Sequence, residues 1–264
     1  MKKYRGAFIK NEHELERMAI ANNMVANILQ AAGTLIAPGV STSQIEELAR
    51  DMCSDYKVKP AFLGYMGYPY ATCCSVNEQV VHGFPNPRPL NEGDIISFDM
   101  GVEYEGFVGD AARTYAVGAV SDKARRLMRV TEEALYKGIE QARAGNDVYA
   151  IGAAVQAYAE AAGFNVVRKY VGHGVGAKMH EKPEVPNFKP ASVGMPLHTG
   201  MVIAIEPMLT MGSWEVETLP DNWTAVTKDR SLAAHFEHSV AITPEGPRIL
   251  SIPDGGLNRQ TWAA

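Results

Sequence analysis

Residues 94–115 read Asp-Ile-Ile-Ser-Phe-Asp-Met-Gly-Val-Glu-Tyr-Glu-Gly-Phe-Val-Gly-Asp-Ala-Ala-Arg-Thr-Tyr. The pattern predicts two strands, 94–102 and 106–115, joined by a turn at Tyr104-Glu105-Gly106 into a hairpin. An Asp sits inside each strand, Asp99 in one and Asp110 in the other, although aspartate is depleted in strands. If the strands pair, the two carboxylates lie close together across the ladder. Side by side they repel, and burial makes each charge more costly. A bound cation removes that conflict. Either Asp alone reads as a surface or turn residue; the pair is the informative observation.

Outward from the hairpin, helices come first. Asn11 with Glu14 three residues on is a capping-box start, and Leu15, Met18 and Val25 recur at helical spacing. Gly33 is the expected stop, and Ala37-Pro38-Gly39 a break. Ser41 with Gln44 starts a second helix carrying Ile45, Leu48 and Met52. After the hairpin the order restarts. Ser121 opens a helix through Leu127, Val130 and Ile139 towards Gly145, and a second runs through Val148, Ile151 and Val155 to Gly163. Strand-like stretches 164–170, 201–205 and 236–243 follow. Helix, break, helix, strands thus occurs twice without a residue-by-residue repeat. The order suggests two similar halves packed as one unit, although such element orders also arise without kinship.

The bulk numbers exclude several classes. With 264 residues, 46% of them apolar, the chain can bury a core without staples. A net charge of −5 gives no reason to expect nucleic acid or an anionic membrane as partner. Three cysteines, Cys53, Cys73 and Cys74, fit a reducing cytosol better than a disulfide scaffold. The basic N-terminus lacks an apolar signal core, and no apolar run has membrane-spanning length. A soluble cytoplasmic protein is the expectation.

Three further stretches carry chemistry. His173 lies in Gly172-His173-Gly174-Val175-Gly176, where glycines let backbone approach and leave the imidazole uncovered, and His180-Glu181 follows. Glu206 ends the apolar run Ile203-Ala204-Ile205, and Glu237 begins a strand-like one. Each alone reads as a strand-end residue facing solvent. Together, four carboxylates and one imidazole form a hard donor set suited to Mn(II), Fe(II), Co(II) or Zn(II). Four acids carry too much charge for one divalent ion and suit two, about 3.5–4 Å apart. Such a pair activates water and stabilises a tetrahedral intermediate, as amide hydrolysis requires. His82, beside Gly83, is a further candidate donor.

These residues resemble type I methionine aminopeptidases. The likeness rests on Ser75-Val76-Asn77-Glu78 running into His82-Gly83, on Asp99 and Asp110, and on Gly172 to Gly176 with His180-Glu181. Ile205-Glu206-Pro207-Met208, Phe236-Glu237-His238, Leu63-Gly64-Tyr65 with Gly67-Tyr68-Pro69, and Trp223-Thr224 extend it. It covers about residues 11–250. The resemblance implies an α/β (α+β) pita-bread fold: two pseudo-symmetric halves with helices covering a curved antiparallel sheet. It divides the chain into an N-terminal extension, 1–10, a single catalytic domain, 11–250, and a C-terminal tail, 251–264.

It also implies roles. Asp99, Asp110, His173, Glu206 and Glu237 would hold two divalent ions (Co, Mn, Fe(II), Zn or Ni), with Asp110 and Glu237 bridging. Asp99 would complete one ion, and His173 with Glu206 the other. Glu206 would shuttle the proton of the attacking water. His180 would contact the scissile carbonyl, and His82 the substrate amide nitrogen. Tyr65, Tyr68, Cys73 and Trp223 would shape the methionine pocket, and Asn77 lies where some members hold a monovalent cation. The implied reaction is removal of the initiator methionine from nascent polypeptides whose second residue is small. The expected protein is a monomer with a transient contact at the ribosome. The short interval between Glu206 and Glu237 leaves no room for the helical insertion of type II members.

The chain departs from its relatives at Phe62, Met66, Gly101, Met179 and His235, all outside the five ligands. Xaa-Pro aminopeptidases and prolidases share the fold and ligands and provide a second reading. A binding module that has lost activity is a third, weakened by the presence of all five ligands.

Overall fold

The computed structural model describes residues 2–256. Four helices lie over antiparallel strands. The first, α1, spans Glu12–Leu35, and the second, α2, spans Thr42–Tyr56. Their starts are set by the capping boxes read from the sequence. Glu14 N–H donates to Asn11 Oδ1 at 3.0 Å, and Asn11 N–H donates to Glu14 Oε2 at 2.8 Å. Ser41 and Gln44 repeat the arrangement.

Gly33 does not stop α1, which continues for two more residues to Leu35. The glycine is a contact point instead. A Cβ there would collide with the ring of Tyr115, whose hydroxyl donates to Leu29 O at 2.6 Å. Packing against the hairpin, not chain reversal, explains this residue.

In the second half, α3 (Asp122–Gln141) starts on Ser121, whose Oγ accepts from Ala124 N–H at 3.2 Å. The fourth helix, α4 (Tyr149–Ala161), is tied at its start by Asp147 Oδ1, which accepts from Tyr149 N–H at 2.8 Å. Gly163, at a φ of +81°, turns the chain after it.

The hairpin forms as expected, with strands Ile95–Tyr104 and Phe107–Ala116 in register from Ile95–Ala116 to Tyr104–Phe107. Both turn residues, Glu105 and Gly106, have positive φ, which matches the twist of a two-residue hairpin loop. Strand Thr72–Val76 extends this sheet. In the second half, Val202–Ile205 is central, flanked by Gly172–Gly174 and His238–Thr243. The expected strand 164–170 is much shorter, Asn165–Val166, and the chain then runs irregularly to Gly172.

Each half has its own core. Val25, Ile28, Ile45, Phe98 and Met100 pack under α1 and α2. Leu127, Ile139, Ile151, Ile203 and Val240 pack under α3 and α4. Burying each such side chain contributes roughly 1.5–3 kcal/mol. The sheets of the two halves meet where Glu237 N–H donates to Ala112 O at 2.9 Å and Ser239 Oγ donates to Asp110 O at 2.8 Å. That seam places the acids of one half against those of the other.

Residues 2–9 form a small hairpin, Lys2–Tyr4 with Ala7–Ile9, and Ala7 joins the second-half core. At the other end, Asn23 Nδ2 donates to Ile252 O at 2.9 Å, so residues following the last strand lie along α1. Residues 257–264 of the expected tail lie outside the described residues. Among the described residues, no helix is long and apolar enough to cross a membrane.

Candidate active site

One cavity of about 210 Å³ lies between the halves. The eleven residues named for the ligand set, the substrate contacts and the methionine pocket all line it: Tyr65, Tyr68, Cys73, His82, Asp99, Asp110, His173, His180, Glu206, Trp223 and Glu237; Asn77 does not, its side chain bonding Asp94 and Ile95 instead.

The hairpin register explains the first two acids. Asp99 pairs with Ala112 and Asp110 with Gly101, so the two aspartates share a face as diagonal neighbours. Asn22, buried on α1, accepts from Asp110 N–H at 3.1 Å and ties this strand to the helix above. Glu206 follows the central strand of the other half, and Asn187 Nδ2 donates to its carbonyl at 3.0 Å.

His173 is held between two close backbone approaches. A Cβ on Gly172 would collide with Ala204 O, and one on Gly174 with Lys182 O. The ring's Nδ1 lies 2.9 Å from Gly174 O. A carbonyl only accepts, so the proton sits on Nδ1 and the Nε2 lone pair is left for a ligand. That Nε2 lies 3.7 Å from Asp110 Oδ2 and 3.5 Å from Glu206 Oε1. Ligand atoms of Asp110, His173 and Glu237 lie within 4.8 Å of one another.

Burial pushes the Asp110 carboxyl up to about 7. Burial and the neighbouring acids hold Asp99, Glu206 and Glu237 well above the usual carboxylate range. Burial, with His180 nearby, pushes the His173 imidazole down to about 4. Asp99 Oδ1, Asp110 Oδ1 and Glu237 Oε1 are buried without a hydrogen-bond partner. Such groups are costly unless a cation satisfies them. Four crowded acids, a neutral imidazole with a free Nε2 and three orphaned oxygens fit a site for divalent metal.

The groups facing substrate sit in irregular backbone. His82 adopts a φ of +61°, and its ring packs edge-on to Tyr170 and Trp223. Burial pushes it down to about 4, so it is neutral. The Tyr65 hydroxyl and His180 Nδ1 are 2.8 Å apart, and the His180 ring lies 4.2 Å from that of His173, tilted by 56°. Tyr68 is fixed by its hydroxyl, which donates to Thr72 O at 3.0 Å, and its ring meets Trp223 edge-on. Cys73 pairs with Asp99 across the ladder, which places the pocket wall beside the acids.

The profile of metallopeptidase family M24 matches residues 16–244. The chain belongs to metallopeptidase family M24. The methionine aminopeptidase of Clostridium perfringens is 47% identical to it over 92% of this chain and 98% of its own length. Methionine aminopeptidase 1 of Bacillus subtilis is 46% identical over the same shares. The crystal structure of methionine aminopeptidase from Thermotoga maritima superposes with a TM-score of 0.91 at 45% identity, covering 93% of this chain and 99% of that one. The prolidase of Pyrococcus furiosus shares the fold at 21% identity and a TM-score of 0.76, with this chain covering 66% of it. The pita-bread fold and the metallopeptidase class expected from the sequence are therefore both found.

Sequence reasoning did not place Val81, Tyr170 and Val171 in the cavity. Tyr170 and Val171 directly precede Gly172-His173, and that adjacency was the available signal. Phe62, Met66 and Met179, noted as departures, line the cavity as well. His235 does not line it; it is buried behind His82, and neither ring nitrogen has a hydrogen-bond partner.

Proposed function

We propose that this M24 metallopeptidase is a methionine aminopeptidase, releasing the N-terminal methionine of new polypeptides when the second residue is small. The observation that carries the reading is the carboxylate-rich cluster opening into a pocket of aromatic and sulfur side chains. Asp99, Asp110, His173, Glu206 and Glu237 are read as ligands of two divalent ions. Ions bound there would supply Lewis-acid polarisation and lower the pKa of water.

The chain's own groups do the rest. Glu206 takes the proton of the attacking water and delivers it to the leaving amine. His180 keeps its proton on Nε2 when the Tyr65 hydroxyl donates to Nδ1, and so presents a donor to the scissile carbonyl oxygen. His82 faces the substrate amide. The methionine side chain packs among Tyr65, Tyr68, Cys73 and Trp223, where sulfur–aromatic contact favours it. One chain contributes all of these groups, so the reading needs no partner subunit.

Metal-free protein supplied with Mn(II), Fe(II) or Co(II) should release methionine from Met-Gly-Met-Met, and do so faster than it cleaves Xaa-Pro peptides. Folded protein inactive with every metal, or preferring Xaa-Pro, would overturn the assignment.

A further inference from the structure

Lys10 and Glu181 form an ion pair remote in sequence and sealed from solvent, with side chains only 1% exposed on both sides. Lys10 Nζ donates to Glu181 Oε2 at 2.7 Å. The other carboxylate oxygen is also engaged: Lys178 N–H donates to Glu181 Oε1 at 3.2 Å. One carboxylate therefore closes the turn 178–181, which carries Met179 and His180 to the cavity. The lysine is anchored in turn. Its N–H donates to Gly200 O at 2.8 Å, and Nζ reaches Phe8 O at 3.4 Å. The surrounding wall has no slack, since a Cβ on Gly176 would come within 2.6 Å of Lys10 Cε and 2.7 Å of Glu181 Oε1.

A buried ion pair is weak evidence for stability, because desolvation offsets most of the attraction. It does fix geometry. His180 is gripped from one side by Tyr65, and the turn bearing it is gripped from the other by Glu181. We propose that Lys10 and Glu181 are positioning residues that set where His180 meets the substrate carbonyl, coupling the N-terminal hairpin to the active site. This rests on the role given above to His180. A misplacement of about 1 Å can lower turnover by two orders of magnitude. The pair lies outside the ligand set, so its removal should act on kcat and leave metal uptake alone.

The test is a mutant cycle on the full chain. Lys10→Met with Glu181→Gln removes both charges together, keeps their volume and leaves an amide oxygen for Lys178 N–H. The expected result is a fall in kcat of tenfold or more, with KM and calorimetric Mn(II) uptake near wild type. In a His180→Ala background the same pair of changes should cost less than twofold. Equal losses in the two backgrounds, or no loss in the first, would overturn the proposal. A fully active His180→Ala protein would instead remove the role on which it rests, and the proposal with it. Should the double variant not fold, Lys10→Arg keeps the charge but displaces the head group, and is read through the same cycle with the same outcomes.

Discussion

The two walls of the cavity are built differently. The acids Asp99 and Asp110 sit within ten-residue strands paired along their whole length, and Glu237 is bonded to that hairpin across the seam between the halves. The groups facing substrate, Cys73 apart, sit in turns and irregular backbone. Met66 and His82 have left-handed backbone, with φ of +49° and +61°, Gly64 and Gly67 flank the first, and His180 ends a tight turn. A ladder fixes several charges at once, so that a cation set among them would meet them with little reorganisation. Turns place single side chains and tolerate exchange. Phe62, Met66 and Met179, where the resemblance implies departures from the family pattern, fall on the second wall.

The contrast is sharpened most by Glu206→Gln. The amide keeps size and shape but cannot take a proton. Turnover should fall by about 10²–10⁴, the usual contribution of a general base, while the melting temperature changes little. Steady-state kinetics beside calorimetry checks this, and near-wild-type turnover would remove Glu206 from the proton transfer.

A smaller effect concerns pH. Metal must displace whatever protons its ligands hold. With Asp110 pushed up to about 7, that carboxyl is protonated below this pH in the metal-free protein. Affinity for Mn(II) should therefore weaken as pH falls from 8 to 6, by about tenfold per unit for each proton displaced, with Asp99, Glu206 and Glu237 steepening the slope wherever they also hold one. His173, pushed down to about 4, stays neutral through this range and adds no slope of its own. Titration calorimetry in two buffers of different ionisation enthalpy would show proton release at pH 6. A pH-independent affinity would mean that the acids are ionised without metal.

The smallest effect belongs to the turn wall. Met66 is 81% exposed, so Met66→Ala removes little buried surface. It should leave kcat on Met-Gly-Met-Met unchanged and alter KM by a few-fold at most. A collapse in kcat would show that the rim tolerates exchange no better than the ladder does.

The same contrast decides what could be read from the sequence. The hairpin was legible because its alternation, its turn and its two misplaced acids all agreed. Helix starts were legible from Asn11, Ser41 and Ser121, whose capping bonds are local. Gly33 misled because a helix stop and a packing contact both require glycine, and only the position of Tyr115 separates them. Tyr170 was missed because its stretch is irregular and carries no period. The bond joining Lys10 to Glu181 spans most of the chain, and no local pattern reports it.

Five side chains from the two halves are proposed to hold a pair of ions. Anomalous difference density from a crystal grown with millimolar Mn(II) tests this most directly. Two peaks about 3.5–4 Å apart among Asp99, Asp110, His173, Glu206 and Glu237 are expected. No peak within that set, or a single peak that leaves Asp99 uncoordinated at saturating metal, would contradict it.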